Sequence, residues 1–142
     1  NELAASYNSF KILGIIFLIW ANDTFAYLGG SMIGRNKLFE RVSPGKTWEG
    51  TIIGVVLCIA VGFVLNMNQT FSNKWVWPLI ALFVGVFATL GDLIESQMKR
   101  KAGVKDSGTL MPGHGGILDR FDSLLFVSPF VFVILKLVEN AS

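Results

Sequence analysis

Three carboxylates in this 142-residue chain sit where oxygen ligands could converge. Asp119 and Asp122 are three residues apart and so share one face if their segment is helical, and Asp92 stands beside Glu95 and Ser96 in the same relation. Asp23, next to Asn22, is a fourth acid inside an apolar stretch. Carboxylate oxygens without a nearby cysteine, and with a single histidine in the whole chain, suit a hard cation such as Mg2+. The plain alternative is that these acids pair with Lys99, Arg100 and Arg120. Asp119 and Asp122 would also be favoured at a helix start by its dipole. Between the two acid pairs runs the most polar stretch of the chain, with cations at Lys99, Arg100, Lys105 and Arg120 and glycines at Gly108, Gly113, Gly115 and Gly116. Glycine permits close backbone approach to a ligand, and amides leading into a helix bind anions. Acids for metal, cations for phosphate and a glycine-rich turn together suggest a metal–polyphosphate site. His114 in that turn either fixes the turn, touches phosphate, or moves a proton.

The elements that must position these residues are membrane spans. Hydrophobic residues make up 52% of the chain and charged residues 15%, against roughly a quarter charged in a soluble domain. Four apolar segments, about 10–30, 48–65, 75–95 and 120–138, each approach the roughly 20 helical residues that cross a bilayer. The expected fold is an all-α integral membrane protein, one domain of four transmembrane helices with two functional loops on one side. Of 12 Lys+Arg, nine lie in the loops 31–47 and 97–120; Lys11, Lys74 and Lys136 fall on the opposite side. The positive-inside rule makes the rich side cytoplasmic, and it carries all five of Asp23, Asp92, Glu95, Asp119 and Asp122. A net charge of +2 is too small to suggest nucleic acid. Acids gathered at one edge, rather than along a midplane path, speak against a transporter.

The remaining features are read more simply. Cys58 is a packing residue in mid-span, and Trp75 and Trp77 are expected as interfacial anchors. Gly54 and Gly62 allow close helix packing, with which a homodimer is compatible. The chain opens Asn1-Glu2-Leu3, without Met or a basic leader, and reads as a piece of something longer.

Several runs resemble the phosphatidate cytidylyltransferase (CDP-diglyceride synthase) family. Ser96-x-Met98-Lys99-Arg100-x4-Lys105-Asp106-x-Gly108 is followed by Pro112-x-His114-Gly115-Gly116-Ile117-x-Asp119-Arg120-Phe121-Asp122. Asn22-Asp23-x-x-Ala26-Tyr27, Gly34-Arg35 and Ser43-Pro44-Gly45-Lys46-Thr47-Trp48-Glu49-Gly50 match two further motifs. Met111 is a volume-conserving departure. The resemblance covers nearly the whole chain but only the C-terminal half or so of a typical member. It implies that CTP and phosphatidic acid give CDP-diacylglycerol and pyrophosphate, with Mg2+, at the cytoplasmic face of the plasma (cell inner) membrane. It also implies that Asp92 and Asp119 are metal ligands, with Asp122 in or beside that shell. Two cation sites are expected, and the second could hold K+. Lys99, Arg100, Lys105 and Arg120 would hold phosphates, or any of them could instead bind anionic lipid head groups; the turn at His114, Gly115 and Gly116 would also hold phosphate. Ser43, Lys46 and Thr47 form either a second nucleotide wall or the start of the second span, with Thr47 as its cap and Glu49 favouring its dipole. Asp23 is either a further metal or head-group ligand or a polar lock between spans. A polyprenol kinase would share the metal logic but transfer the γ-phosphate.

Overall fold

The computed structural model describes residues 9–67, 73–103 and 117–141, excepting the side chains of 117–123, 139 and 141. Four helices dominate: α1 (Ser9–Ile33), α2 (Trp48–Asn66), α3 (Val76–Lys101) and α4 (Ile117–Ala141). They lie close to the four expected spans. Helices α1, α2 and α3 are long and apolar enough to cross a membrane; in α4 the described apolar run is Leu124–Val138. Consecutive helices pack side by side, and α1 also packs on α3. The chain is an α-helical membrane protein.

The first polar connection is more ordered than a loop. It forms an antiparallel hairpin of β1 (Lys37–Phe39) and β2 (Ser43–Thr47), with Lys37 opposite Thr47, Phe39 opposite Ser43 and a shift of register between them. Pro44 has no amide to donate, which suits a short irregular pair. Its carbonyl accepts from Lys37 Nζ at 2.7 Å. Trp48 N donates to Asn36 O at 3.0 Å, closing the hairpin onto α2.

Helix starts and stops follow local chemistry. Thr47 caps α2: its extended backbone lets the side-chain oxygen accept from Gly50 N at 3.2 Å. The last turn of α3 carries Lys99, Arg100 and Lys101, complementing the dipole, and the helix ends at Gly103 with φ 74°.

Packing rests on small residues where backbones meet. A Cβ on Gly50 of α2 would lie 2.6 Å from Ala26 O and 2.7 Å from Gly30 Cα of α1, so this crossing requires glycine. The core between the helices includes Leu18, Cys58, Trp77, Ile80, Val84 and Val127. Trp77 departs from the expected anchoring role. It is fully buried, meets Phe10 edge-on at 6.2 Å and lies against Gly14. Residues two apart on a helix face opposite ways, so only Trp75 reaches the surface, with Lys74 Nζ 5.9 Å from its ring.

Hydroxyls inside the helices are satisfied locally. Thr24, Ser31, Thr51 and Thr89 each donate to a carbonyl three or four residues back in the chain. In α4, Pro129 cannot donate to Leu125 O, and Ser128 Oγ does so instead at 3.2 Å. Such substitution lets proline stand in a membrane helix.

Candidate functional site: a polar cleft beneath the hairpin

Polar side chains from four elements converge under the hairpin. A cleft of about 310 Å³ is walled by Asn22, Asp23, Ala26 and Tyr27 of α1, Ser43, Gly45, Lys46 and Thr47 of β2, Thr51 of α2, and Thr89 and Asp92 of α3. Each contribution follows from spacing. Asn22, Ala26 and Asp23, Tyr27 are i, i+4 pairs on α1, Thr47 and Thr51 stand one turn apart at the start of α2, and Thr89 lies one turn before Asp92.

The main electrostatic feature is an ion pair across the cleft, from Lys46 Nζ on the hairpin to Asp92 Oδ2 on α3. A cation held by a strand thereby faces an acid presented by a membrane helix. Exposed ion pairs contribute little, but at the edge of hydrocarbon the lower dielectric strengthens the attraction. Below them lies Asn22, 1% exposed, with neither its amide nitrogen nor its oxygen hydrogen-bonded within the described residues. Gly85 makes room for it: a Cβ there would be 3.2 Å from Asn22 Oδ1. A buried polar group without a partner is costly and calls for a ligand or a functional reason.

The hairpin is held in place by Glu49. Its carboxylate accepts from Arg35 N at 3.2 Å, from Asn36 N at 3.2 Å and from Asn36 Nδ2 at 2.7 Å. This bracket ties the exit of α1 to the first turn of α2 and so fixes where Lys46 hangs.

Among the residues nominated from sequence, Asp23, Ser43, Lys46, Thr47 and Asp92 come together in the cleft. Thr47 serves as the cap of α2, one of the two roles open to it. Lys99 and Arg100 occupy the last turn of α3 outside the cleft lining; Lys99 pairs with Glu95 at 3.3 Å, four residues back on the same helix. Lys105, His114, Gly115 and Gly116, and the side chains of Asp119, Arg120 and Asp122, lie outside the described residues. The backbone of the last three belongs to the first two turns of α4. That helix packs on α3 beside Asp92, where a Cβ on Gly91 would come within 2.6 Å of Phe126 Cβ. Sequence reasoning missed Thr51, Thr89 and Tyr27 as lining residues and Glu49 as a tether. The turn spacing of Thr89 to Asp92 was a usable signal; the reach of Glu49 over 13 and 14 residues was not.

Among the described residues no three acids, histidines or cysteines cluster as a metal site. The donors present in the cleft, two carboxylates, an unpartnered buried amide and hydroxyls, are oxygen-rich and fit a hard cation once further acids join them.

Long apolar helices with a charged, acid-bearing cleft at one end define a membrane protein with a polar site at the end of its helix bundle. The family profile of the cytidylyltransferase family matches residues 4–138, and the chain belongs to that family. It is similar to the phosphatidate cytidylyltransferase of Staphylococcus haemolyticus, at 45% identity over 125 residues, covering 87% of this chain and 48% of that protein. The Bacillus subtilis phosphatidate cytidylyltransferase is 46% identical over 121 residues, covering 84% and 45% respectively. That of Staphylococcus aureus is 46% identical over 125 residues, covering 87% and 48%. The chain thus spans about half the length of the curated relatives it matches.

Proposed function

We propose that the protein containing these residues transfers the cytidylyl group of CTP to phosphatidic acid, releasing pyrophosphate and forming CDP-diacylglycerol for phospholipid synthesis. The observation that carries the reading is the cleft itself, in which Lys46 meets Asp92 beside Asp23 in a chain of the cytidylyltransferase family. Four helices cross the bilayer, and the cleft opens to the cytoplasm because the segments 31–47 and 97–120 hold nine of the 12 Lys+Arg. The membrane is the cell inner membrane; Gly54 and Gly62, at which the sequence allowed a homodimer to pack, meet Ala26 and Ala81 of the same chain and so lend a homodimer no support.

A phosphate oxygen of phosphatidate, largely ionised near neutral pH because its second pKa is about 6, attacks the α-phosphorus of CTP. The bond from that phosphorus to the pyrophosphate oxygen breaks. Such a nucleophile needs little help from a base, so the chain's work is positioning and charge compensation. Lys46 lends a point charge to the phosphates, backed by Arg120, Lys105, Arg100 and Lys99 from the second loop. Ser43 offers a hydroxyl from the hairpin, and the turn at His114, Gly115 and Gly116 offers backbone amides. Thr47 acts by capping α2 and holding β2 over the cleft. Asp92, Asp119 and Asp122, with Asp23 alongside, would hold Mg2+ and a second cation that could be K+. When bound, such ions neutralise the triphosphate and align the attacking and leaving oxygens.

The test is product analysis with the full-length protein in detergent, supplied with labelled CTP, phosphatidate and Mg2+. CDP-diacylglycerol and pyrophosphate are expected, and Asp92→Asn should lose them while remaining folded. CDP as the nucleotide product would instead make the enzyme a kinase. An Asp92→Asn variant of near-normal activity would refute the acid assignment.

A further inference from the structure

Beside the polar cleft runs a second recess of about 360 Å³, lined by apolar side chains and two threonines. Its walls are Leu38 and Phe39 of the hairpin, Ile52 and Val56 of α2, and Val86 and Leu90 of α3. Thr51 and Thr89 line both the recess and the cleft, so the two compartments share a wall. Both hydroxyls donate to main-chain carbonyls, Thr51 to Thr47 O and Thr89 to Gly85 O, so this wall spends no donor on either side. We propose that the apolar recess seats the upper part of one acyl chain of the lipid whose phosphate enters the cleft. This inference rests on the lipid substrate proposed above.

The recess is continuous with the cleft and matches a lipid chain in length. A phospholipid whose phosphate reaches Lys46 must keep its chains in hydrocarbon, and the recess is the apolar space that adjoins the cleft through shared residues. Along α2 it runs from Trp48 to Val56, eight residues or about 12 Å, close to the roughly 15 Å depth of one leaflet. The hairpin roofs it with Leu38 and Phe39 while presenting Lys46 to the cleft, so one element would grip both ends of the same lipid.

Ile52→Trp and Val86→Trp test the proposal, since both positions are partly exposed and tolerate bulk without unpacking the core. Full-length protein is assayed with dioleoyl and with dihexanoyl phosphatidate at saturating CTP. The KM for the dioleoyl lipid should rise about tenfold, the effect of withdrawing roughly two methylenes from an apolar seat. The KM for dihexanoyl lipid, whose short chains fill only the upper part of the recess, should rise less, and that for CTP should not change. If the variants leave the dioleoyl KM unchanged, the recess is not the chain's seat. Should both lipids be impaired equally, cross-linking of the unaltered protein by phosphatidate with a mid-chain diazirine decides. Label on the segments 52–56 or 86–90 supports the seat, and label only elsewhere overturns it. If the unaltered protein turns over neither lipid, the reaction itself is wrong, and that outcome is distinct from variants that fail to discriminate.

Discussion

Single residues in the cleft separate stability from activity. Asn22 is buried with an unpartnered amide, so its place in the helix bundle is paid for elsewhere. Asn22→Leu, which keeps the branching and heavy-atom count of the side chain, removes that cost; its thermal midpoint in detergent should hold or rise, by up to about 1 kcal/mol of stability, while turnover falls. A fall in both would mark Asn22 as merely structural. Lys46→Gln should weaken CTP use by about 2 kcal/mol, roughly thirtyfold in kcat/KM, as expected for a lost charged contact, with little change in the melting curve. Thr47 is different, because its oxygen is committed to Gly50 N. Thr47→Ala should cost about 1 kcal/mol of stability and Thr47→Ser much less, read by the same melting measurement. The acids and cations of this site were legible as types in a pattern. Which of them meet was not: that Lys46 would face Asp92 depends on a contact between residues 46 apart in sequence.

At the scale of elements, apolar run length was enough. The expected spans about 10–30, 48–65, 75–95 and 120–138 fall within or beside the four helices, since in lipid every backbone amide must be satisfied within its own segment. The hairpin was hidden because a three-residue strand with Pro44 and Gly45 in its partner carries too few alternations to declare itself. Trp77 was misplaced for another reason: proximity to a helix start says nothing of which face a side chain takes. Helix α4 supplies a sharper check. Ser128 Oγ replaces the donor that Pro129 lacks, so Ser128→Ala should destabilise the protein by about 0.6–1 kcal/mol, near the measured range for membrane hydrogen bonds. Ser128→Thr should restore it. Denaturation in detergent reads both, and an unaffected Ser128→Ala would show that Leu125 O finds another donor.

For the molecule as a whole, charge and fold agree on a direction. Lys74, Trp75 and Asn73 stand at one end, with the hairpin and the basic last turn of α3 at the other. A membrane-impermeant maleimide applied to intact cells should reach Asn73→Cys, and should reach Gly45→Cys only after permeabilisation. The reverse pattern would invert the topology. Gly45 suits the purpose because a Cβ there meets nothing within 4 Å.

Cys58 bears on that same chemistry. Its Sγ is fully buried at mid-span and lies 3.5 Å from Leu18 O, between packed helices. These 142 residues thus contain no native thiol that a water-borne reagent can find while the fold is intact. Reporter groups can be placed one at a time along the segment without first stripping it, and the onset of labelling at Cys58 becomes a signal that the helices have come apart.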